Sequence, residues 1–443
     1  MCPGMETAGA LDRFFEITKR GSDIKTEVKG GVLIFLAMAY IIVVNSSMMA
    51  DAGMDQSACY TATIVMSVIG TLLMALYAKY PVAQAPLMGV NAFFTYTIVI
   101  GLQYTWQEAL VAVLLSGIIF FLIAVSGVRK KVLDQIPPSL RFGITAGIGC
   151  FIVFIGLQNA GIIVNSDSTL VALGEFSSPP VILSLFCILL TLFLYARKVT
   201  GAIFFGMIIT AIVGMVFGII AIPDSLVSVP VMPEFGAFID GLSSDLVSVE
   251  FLMVVISLTF VQFFDSTGTL MATGERAGII DENGNVQCEK AMIADSATSV
   301  ISGVVGATPT GSFAESTVGI EAGARTGLAS LTVAVLFAVA LFIGPVFQVV
   351  DYSCTVGAML VVGAAMITQL KGVKWDDWPV SVAVLATIIM MILTYSITDG
   401  IVFGIIFYSV CMIGANRWKE VSPIIYALAV ISLLYLIVVV ASL

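Results

Sequence analysis

The chain has 443 residues, is 59% hydrophobic and only 11% charged, carries a net charge of −10 and contains no histidine. A soluble domain carries about 25% charged residues, so a water-facing surface is excluded and a polytopic membrane protein is expected. The missing histidine removes His-ligated metal sites, Ser-His-Asp and Cys-His nucleophiles and the HExxH protease, and leaves proton chemistry to carboxylates.

A membrane helix needs about 20 apolar residues. Residues 1–29 are polar and mixed in charge, and read as a cytoplasmic N-terminal segment rather than a cleavable signal. Apolar stretches follow near 30–50, 58–77, 83–102, 106–127, 143–164, 179–196, 201–222, 251–273, 290–307, 311–325, 326–347, 353–369, 378–396, 399–415 and 423–441. The stretch 311–325 is weak, because it holds Ser312, Glu315, Ser316, Thr317 and Glu321. The third is broken by Pro81, Pro86 and Gly89. The seven cysteines form no CxxC pair and mostly sit in apolar runs, where they pack as small hydrophobes. No cofactor, metal or nucleic-acid partner is expected.

The cations set an orientation. With the N-terminus in the cytoplasm, Lys79, Arg129–Lys131, Arg141, Arg197, Lys198, Arg276, Lys290, Arg325, Lys371, Lys374, Arg417 and Lys419 all join the five N-terminal cations, so all 19 fall on one side. The loop 223–250 on the other side has Asp224, Glu234, Asp240, Asp245 and Glu250 and no Lys or Arg. Dropping the weak segment would break this parity, so it is read as a crossing. The expected class is an all-α polytopic protein of fourteen membrane segments with a further C-terminal hydrophobic helix at 423–443.

Fourteen segments split into seven and seven, and an odd number inverts the second half. The irregular third segment of each half, PVAQAPLMGVNAFF (81–94) and GATPTGSFAESTVGIEAG (306–323), has Pro and Gly just before a polar residue, Asn91 or Glu315. Paired broken helices at matching positions point to a transport site. Ionisable groups inside the membrane are costly and usually functional. The clearest are Glu315, which has no cation within a turn, Asp265 in FVQFFDSTGTL (260–270), with Gln262 one turn away, and Asp295 in the ninth span. Asp295 reads as an interfacial or helix-packing charge near Lys290. Thr310, Phe93 and Phe313 flank the broken segments and could meet a planar polar ligand. A channel or membrane enzyme is disfavoured, since there is no phosphate loop or cysteine cluster and the broken repeats suit a carrier.

FLAMAYIIVVN (35–45), PVAQAPLMGVNAFF (81–94), SGVRKKVLDQIPPSLRFGITAGIGCFIVFIGLQNAGIIV (126–164), FFDSTGTL (263–270), ADSATSVISGVVGATPTGSFAESTVGIEAGARTGLASL (294–331) and SITDGIVFG (396–404) run through nearly the whole chain. In these stretches the sequence resembles the AzgA-like purine permeases of the nucleobase–ascorbate transporter superfamily. The resemblance implies a seven-plus-seven inverted-repeat fold in the cell membrane. It implies a transport core at 30–127 and 251–347 (spans 1–4 and 8–11) and a gate at 128–250 and 348–415 (spans 5–7 and 12–14), the gate often forming a homodimer surface. It implies uptake of a purine nucleobase (hypoxanthine, guanine or adenine) coupled to a cation, a proton or sodium. Glu315 matches the family's tenth-span acid and Asp265 its second eighth-span acid. The first eighth-span acid is replaced by Gln262, and the Asn-Pro usual in the first span by Asn45-Ser46. On this reading Glu315 and Gln262 hydrogen-bond the base, Asn91 completes the pocket, and Asp265 or Glu315 carries the proton. Xanthine or uracil transport, and anion exchange on the same fold, are the competing readings; the site's two acids and lack of an intramembrane cation oppose the latter.

Overall fold

A computed structural model describes residues 9–126, 137–166, 168–223, 225–242, 248–280, 286–348 and 350–442. Arg129, Lys130, Lys131, Asp224 and Asp245 of the orientation argument lie outside the described residues. Among the described residues, nine helices are long and apolar enough to cross a membrane: Ile24–Asp51 (span 1), Gln56–Ala78 (span 2), Trp106–Val125 (span 4), Pro138–Asn159 (span 5), Pro179–Ala196 (span 6), Val249–Arg276 (span 8), Gly327–Phe347 (span 11), Tyr352–Gly372 (span 12) and Ile397–Gly414 (span 14). Shorter apolar helices supply the rest of span 3 (Met88–Gly101), span 7 (Ala202–Val216), span 13 (Trp378–Leu393) and the C-terminal helix, which runs Pro423–Ser442. Span 9 is Glu289–Val305. Span 10 is not a full helix: it is an extended piece followed by the half-helix Ser316–Glu321. The fourteen expected segments are therefore present, as two inverted sevens.

Span 1 starts at Ile24, earlier than its apolar run suggests, because the Asp23 side chain accepts from the N–H groups of Lys25 and Thr26. The Thr26 hydroxyl and N–H hold the Asp23 carboxyl below its ordinary range. The helix ends at Met38 and resumes at Ile41, leaving Ala39 and Tyr40 at a break. Near its start, fully buried Glu27 accepts from the N–H groups of Arg325 (2.7 Å) and Thr326 (3.2 Å). A carboxylate there satisfies donors that the start of span 11 cannot pair internally. Replacing Glu27 with Ala leaves both donors buried, and melting in detergent is expected to show a loss of about 1–3 kcal/mol.

Two pairs of short strands interrupt the all-helical expectation. Strand β1 (Gln84–Pro86) pairs antiparallel with β4 (Thr310–Ser312), matching Gln84 to Ser312, Ala85 to Gly311 and Pro86 to Thr310. Bonds from Leu87 N–H to the Pro309 carbonyl and from Phe313 N–H to the Ala83 carbonyl extend this ladder. All six strand residues are buried. Non-helical backbone is tolerated at membrane depth only where protein pairs and covers it. Each broken segment thus supplies the other's missing partners. The second pair, β2 (Ile163–Ser166) and β3 (Leu170–Leu173), forms a hairpin after span 5.

The helices pack in two sets. Span 11 lies on spans 1 and 2, span 4 on spans 8 and 9, span 9 also on span 2, and span 3 on spans 1 and 4, with a further contact to span 5. Span 12 lies on spans 5, 6 and 7, and span 13 on spans 14 and 5. Small residues allow this closeness: a Cβ at Gly117 would meet the Val300 nitrogen at 2.9 Å, and one at Gly303 the Leu114 nitrogen at 2.9 Å.

Candidate functional site

The break in span 1, the half-helix of span 10 and the middle of span 8 converge. Tyr40 is 1% exposed, and its hydroxyl donates to Glu315 Oε1 at 2.7 Å. Glu315 stands just before the half-helix Ser316–Glu321 without capping it by a side-chain bond. Its one side-chain hydrogen-bond partner among the described residues is Tyr40. Asp265 makes no hydrogen bond among the described residues, and the charges that act on it, Glu315 and Asp295, are both acidic.

Accessibility along span 8 changes at Asp265. Asp265, Gly268, Thr269 and Ala272 share one helical face, and all are half-buried or exposed. On the same face toward the other end, Val261, Leu258 and Val254 are buried. A Cβ built on Gly268 meets nothing within 4 Å. Across from this face Ala314 is exposed and Glu315 half-buried. Accessible positions on span 8 and the half-helix therefore run from Asp265 and Glu315 toward the end of the bundle that carries the basic loops. At the packed end of the same region, a Cβ on Gly311 would meet Leu87 Cδ1 at 2.8 Å and Ser266 Oγ at 2.9 Å, so β4 lies close against span 8 and a side chain there would have to displace Leu87 or Ser266.

Asp295 has a larger part than an interfacial charge. It is fully buried, and its Oδ1 accepts from Gln84 Nε2 (2.8 Å) and from Ser312 Oγ (2.6 Å). Gln84 and Ser312 are register partners, so one carboxylate ties both strands of the crossing. The Ser266 hydroxyl and the Ser312 N–H also act on the Asp295 carboxylate, and Gln84 Oε1 is buried without a partner among the described residues.

The other expected site residues divide. Asn91 is fully buried in the half-helix after β1, and both of its amide atoms lack a partner among the described residues. A buried amide left unpaired is costly, which fits a group held for a ligand or water. Gln262 is different. Its Nε2 donates to Ser116 Oγ at 3.0 Å and its Oε1 accepts from Ser299 Oγ. Both ends of the amide are engaged between spans 4, 8 and 9, so its contacts do not join it to Glu315. Gln262→Ala is accordingly expected to lower the melting temperature, by about 1–3 kcal/mol in stability, while the order of preference among bases in an uptake assay stays unchanged. Thr310 is buried, and its N–H is held by Ser302 Oγ at 3.2 Å. Phe93 is fully enclosed and Phe313 nearly so, so neither offers an open ring face in this conformation. Tyr40 escaped the sequence reading. Its only signal was a hydroxyl in the middle of an apolar span.

Residues 25–439 match the protein family described as "Permease family". The chain is 42% identical to the guanine/hypoxanthine permease PbuG of Bacillus subtilis, over 96% of this chain and 99% of that one. It is 34% identical to the adenine permease AdeQ of Escherichia coli, over 98% of this chain and 97% of that one. Among solved structures, the transmembrane domain of the cyanobacterial bicarbonate transporter BicA superposes with a TM-score of 0.61 at 15% identity, covering 86% of this chain and 97% of that one. SLC26A9 superposes with a TM-score of 0.64 at 12% identity, covering 92% of this chain and 68% of that one. These two likenesses carry the fold alone. The full-length relatives carry the family, and the resemblance read from the motifs is borne out: the chain belongs to this permease family, a multi-pass membrane transporter and not an enzyme.

Proposed function

We propose that the protein imports purine nucleobases, 6-oxopurines such as hypoxanthine and guanine first, by proton symport through alternating access. The observation that carries this is Glu315, bonded by Tyr40 where the accessible face of span 8 ends, in a chain 42% identical to a guanine/hypoxanthine permease; on this proposal that face lines a crevice leading to Glu315 and Asp265. A purine presents N–H donors and ring-nitrogen acceptors along one edge. A carboxylate accepts from the donors, and the Asn91 amide both donates and accepts. Tyr40 occupies one Glu315 oxygen and leaves the other for the base. Asp265 or Glu315 takes the coupled proton, because no histidine is present. Neutralising a buried carboxylate favours movement of the loaded carrier through a low-dielectric region. Spans 1–4 and 8–11 act as the core that moves, and spans 5–7 and 12–14 as the gate. The N-terminus is cytoplasmic in the cell membrane, following the cations, so the crevice faces inward.

The test is a thermal-stability panel in detergent with adenine, guanine, hypoxanthine, xanthine and uracil. Guanine and hypoxanthine are expected to stabilise most. Tyr40→Phe, which removes only a hydroxyl, is expected to weaken hypoxanthine binding roughly tenfold, the effect of one hydrogen bond. Stabilisation by uracil with none by any purine would overturn the substrate class.

A further inference from the structure

At the acidic end of the bundle, a hydroxyl cluster joins the two sets of helices. Asp51 ends span 1, and its Oδ2 accepts from Tyr96 of span 3 at 2.7 Å and from Tyr352, the first residue of span 12. Asn159, the last residue of span 5, donates to the Tyr96 hydroxyl at 2.8 Å. The Tyr395 ring, at the turn between spans 13 and 14, packs edge-on against Tyr96 with centroids 5.7 Å apart and against Phe151 at 5.3 Å. Tyr395 adopts φ 57°, a conformation unfavourable for a tyrosine. Asp51 and Tyr96 belong to the set containing spans 1–4. Asn159, Tyr352 and Tyr395 belong to the other.

We infer that these residues form the latch that closes the outer mouth of the carrier. Two observations meet here. The cluster's hydrogen bonds cross from one set of helices to the other. The face of span 8 leading from Asp265 toward this end is covered (Val261, Leu258 and Val254 are all buried), while the same face toward the basic end is open. A carrier covered at one end and open at the other must break the contacts at the covered end to admit substrate there. A few hydrogen bonds around one carboxylate suit that role, because water replaces each partner as the contact opens. Tyr96 is central, since its hydroxyl donates to Asp51 and accepts from Asn159 at once. The assignment of this end as outer rests on the orientation proposed above.

Tyr352→Phe and Asn159→Ala each delete one bond between the sets and keep the rest of the cluster. With a cysteine placed on the covered face by Leu258→Cys, a membrane-impermeant maleimide added to right-side-out vesicles reports outer opening, read at residue 258 by mass spectrometry. Each deletion is expected to raise labelling roughly fivefold or more by shifting the population toward the outward-open state, and the pair to raise it further. Tyr104→Phe removes another hydroxyl near this end, one that meets Ser248 Oγ at 3.3 Å, and is expected to leave labelling unchanged. Unchanged labelling in the Tyr352→Phe and Asn159→Ala chains, each melting like its parent, overturns the latch. An equal rise in Tyr104→Phe does the same, because it would mark general loosening. The labelling needs no substrate, so it fails or succeeds separately from the purine reading, which the stability panel decides.

Discussion

Net uptake of labelled hypoxanthine is expected to collapse in Glu315→Gln, while the protein folds and melts like wild type. The substitution keeps the shape and keeps an oxygen for the Tyr40 hydroxyl, which bonds Glu315 at 2.7 Å, so the local structure survives. What is lost is the charge, the second acceptor and the exchangeable proton. Hydrogen bonds to a charged group contribute about 1.5–3 kcal/mol, so hypoxanthine affinity should fall roughly 10- to 150-fold. Two assays separate the roles assigned to this carboxylate. If Glu315 binds the base, equilibrium exchange of labelled for unlabelled hypoxanthine fails together with net accumulation. If it only carries the proton, exchange survives and accumulation against a gradient is lost. Asp265→Asn provides the comparison, because Asp265 shares the proposed crevice and has no hydrogen-bond partner among the described residues to orient it toward a ligand. It is expected to keep exchange and lose accumulation. Wild-type accumulation by Glu315→Gln would remove Glu315 from the site altogether.

How much of the molecule is readable from its sequence follows from what each feature demands of the residues. The spans were legible because hydrocarbon tolerates almost no exposed polar group, so each crossing leaves about 20 apolar residues in a row. Span 10 was legible only through the parity of the cations, since half of it is a strand and a short helix without any apolar run. The pairing of β1 with β4 left a weaker trace. Pro and Gly mark where helix stops. They do not say that two stopped segments in opposite halves of the chain meet, Gln84 with Ser312 and Pro86 with Thr310. Gln262 shows the limit of helical spacing as an argument. Its position one turn from Asp265 is real, yet a turn of three residues also rotates a side chain by about 60°, enough to put one on the accessible face and the other between Ser116 and Ser299. The latch tyrosines were invisible for another reason. Tyrosine near a membrane boundary is the ordinary interfacial anchor, and only the partner across the helix sets distinguishes Tyr96 and Tyr352 from that background.

Asp295→Ala is expected to do the greatest structural damage of any single change, and Asp295→Asn to do little. Alanine leaves the Gln84 amide and the Ser312 hydroxyl buried without an acceptor, where Asp295 Oδ1 now serves both at 2.8 and 2.6 Å. Each orphaned group costs about 1–3 kcal/mol, a large part of the roughly 5–15 kcal/mol that holds a domain together. The loss also falls on the antiparallel pair that lets both broken segments exist within the membrane. Detergent melting and the yield of folded protein should both drop sharply. Asparagine retains an oxygen at the Oδ1 position, so the clamp persists, and its N–H₂ is a donor in a neighbourhood where Gln84 Oε1 has no partner among the described residues. A purely positional role therefore predicts near-wild-type melting and near-wild-type hypoxanthine accumulation in Asp295→Asn. If that variant melts normally but no longer accumulates substrate, the charge at Asp295 belongs to the coupling machinery, and the proton assigned to Asp265 or Glu315 must be shared with the carboxylate that ties the crossing strands.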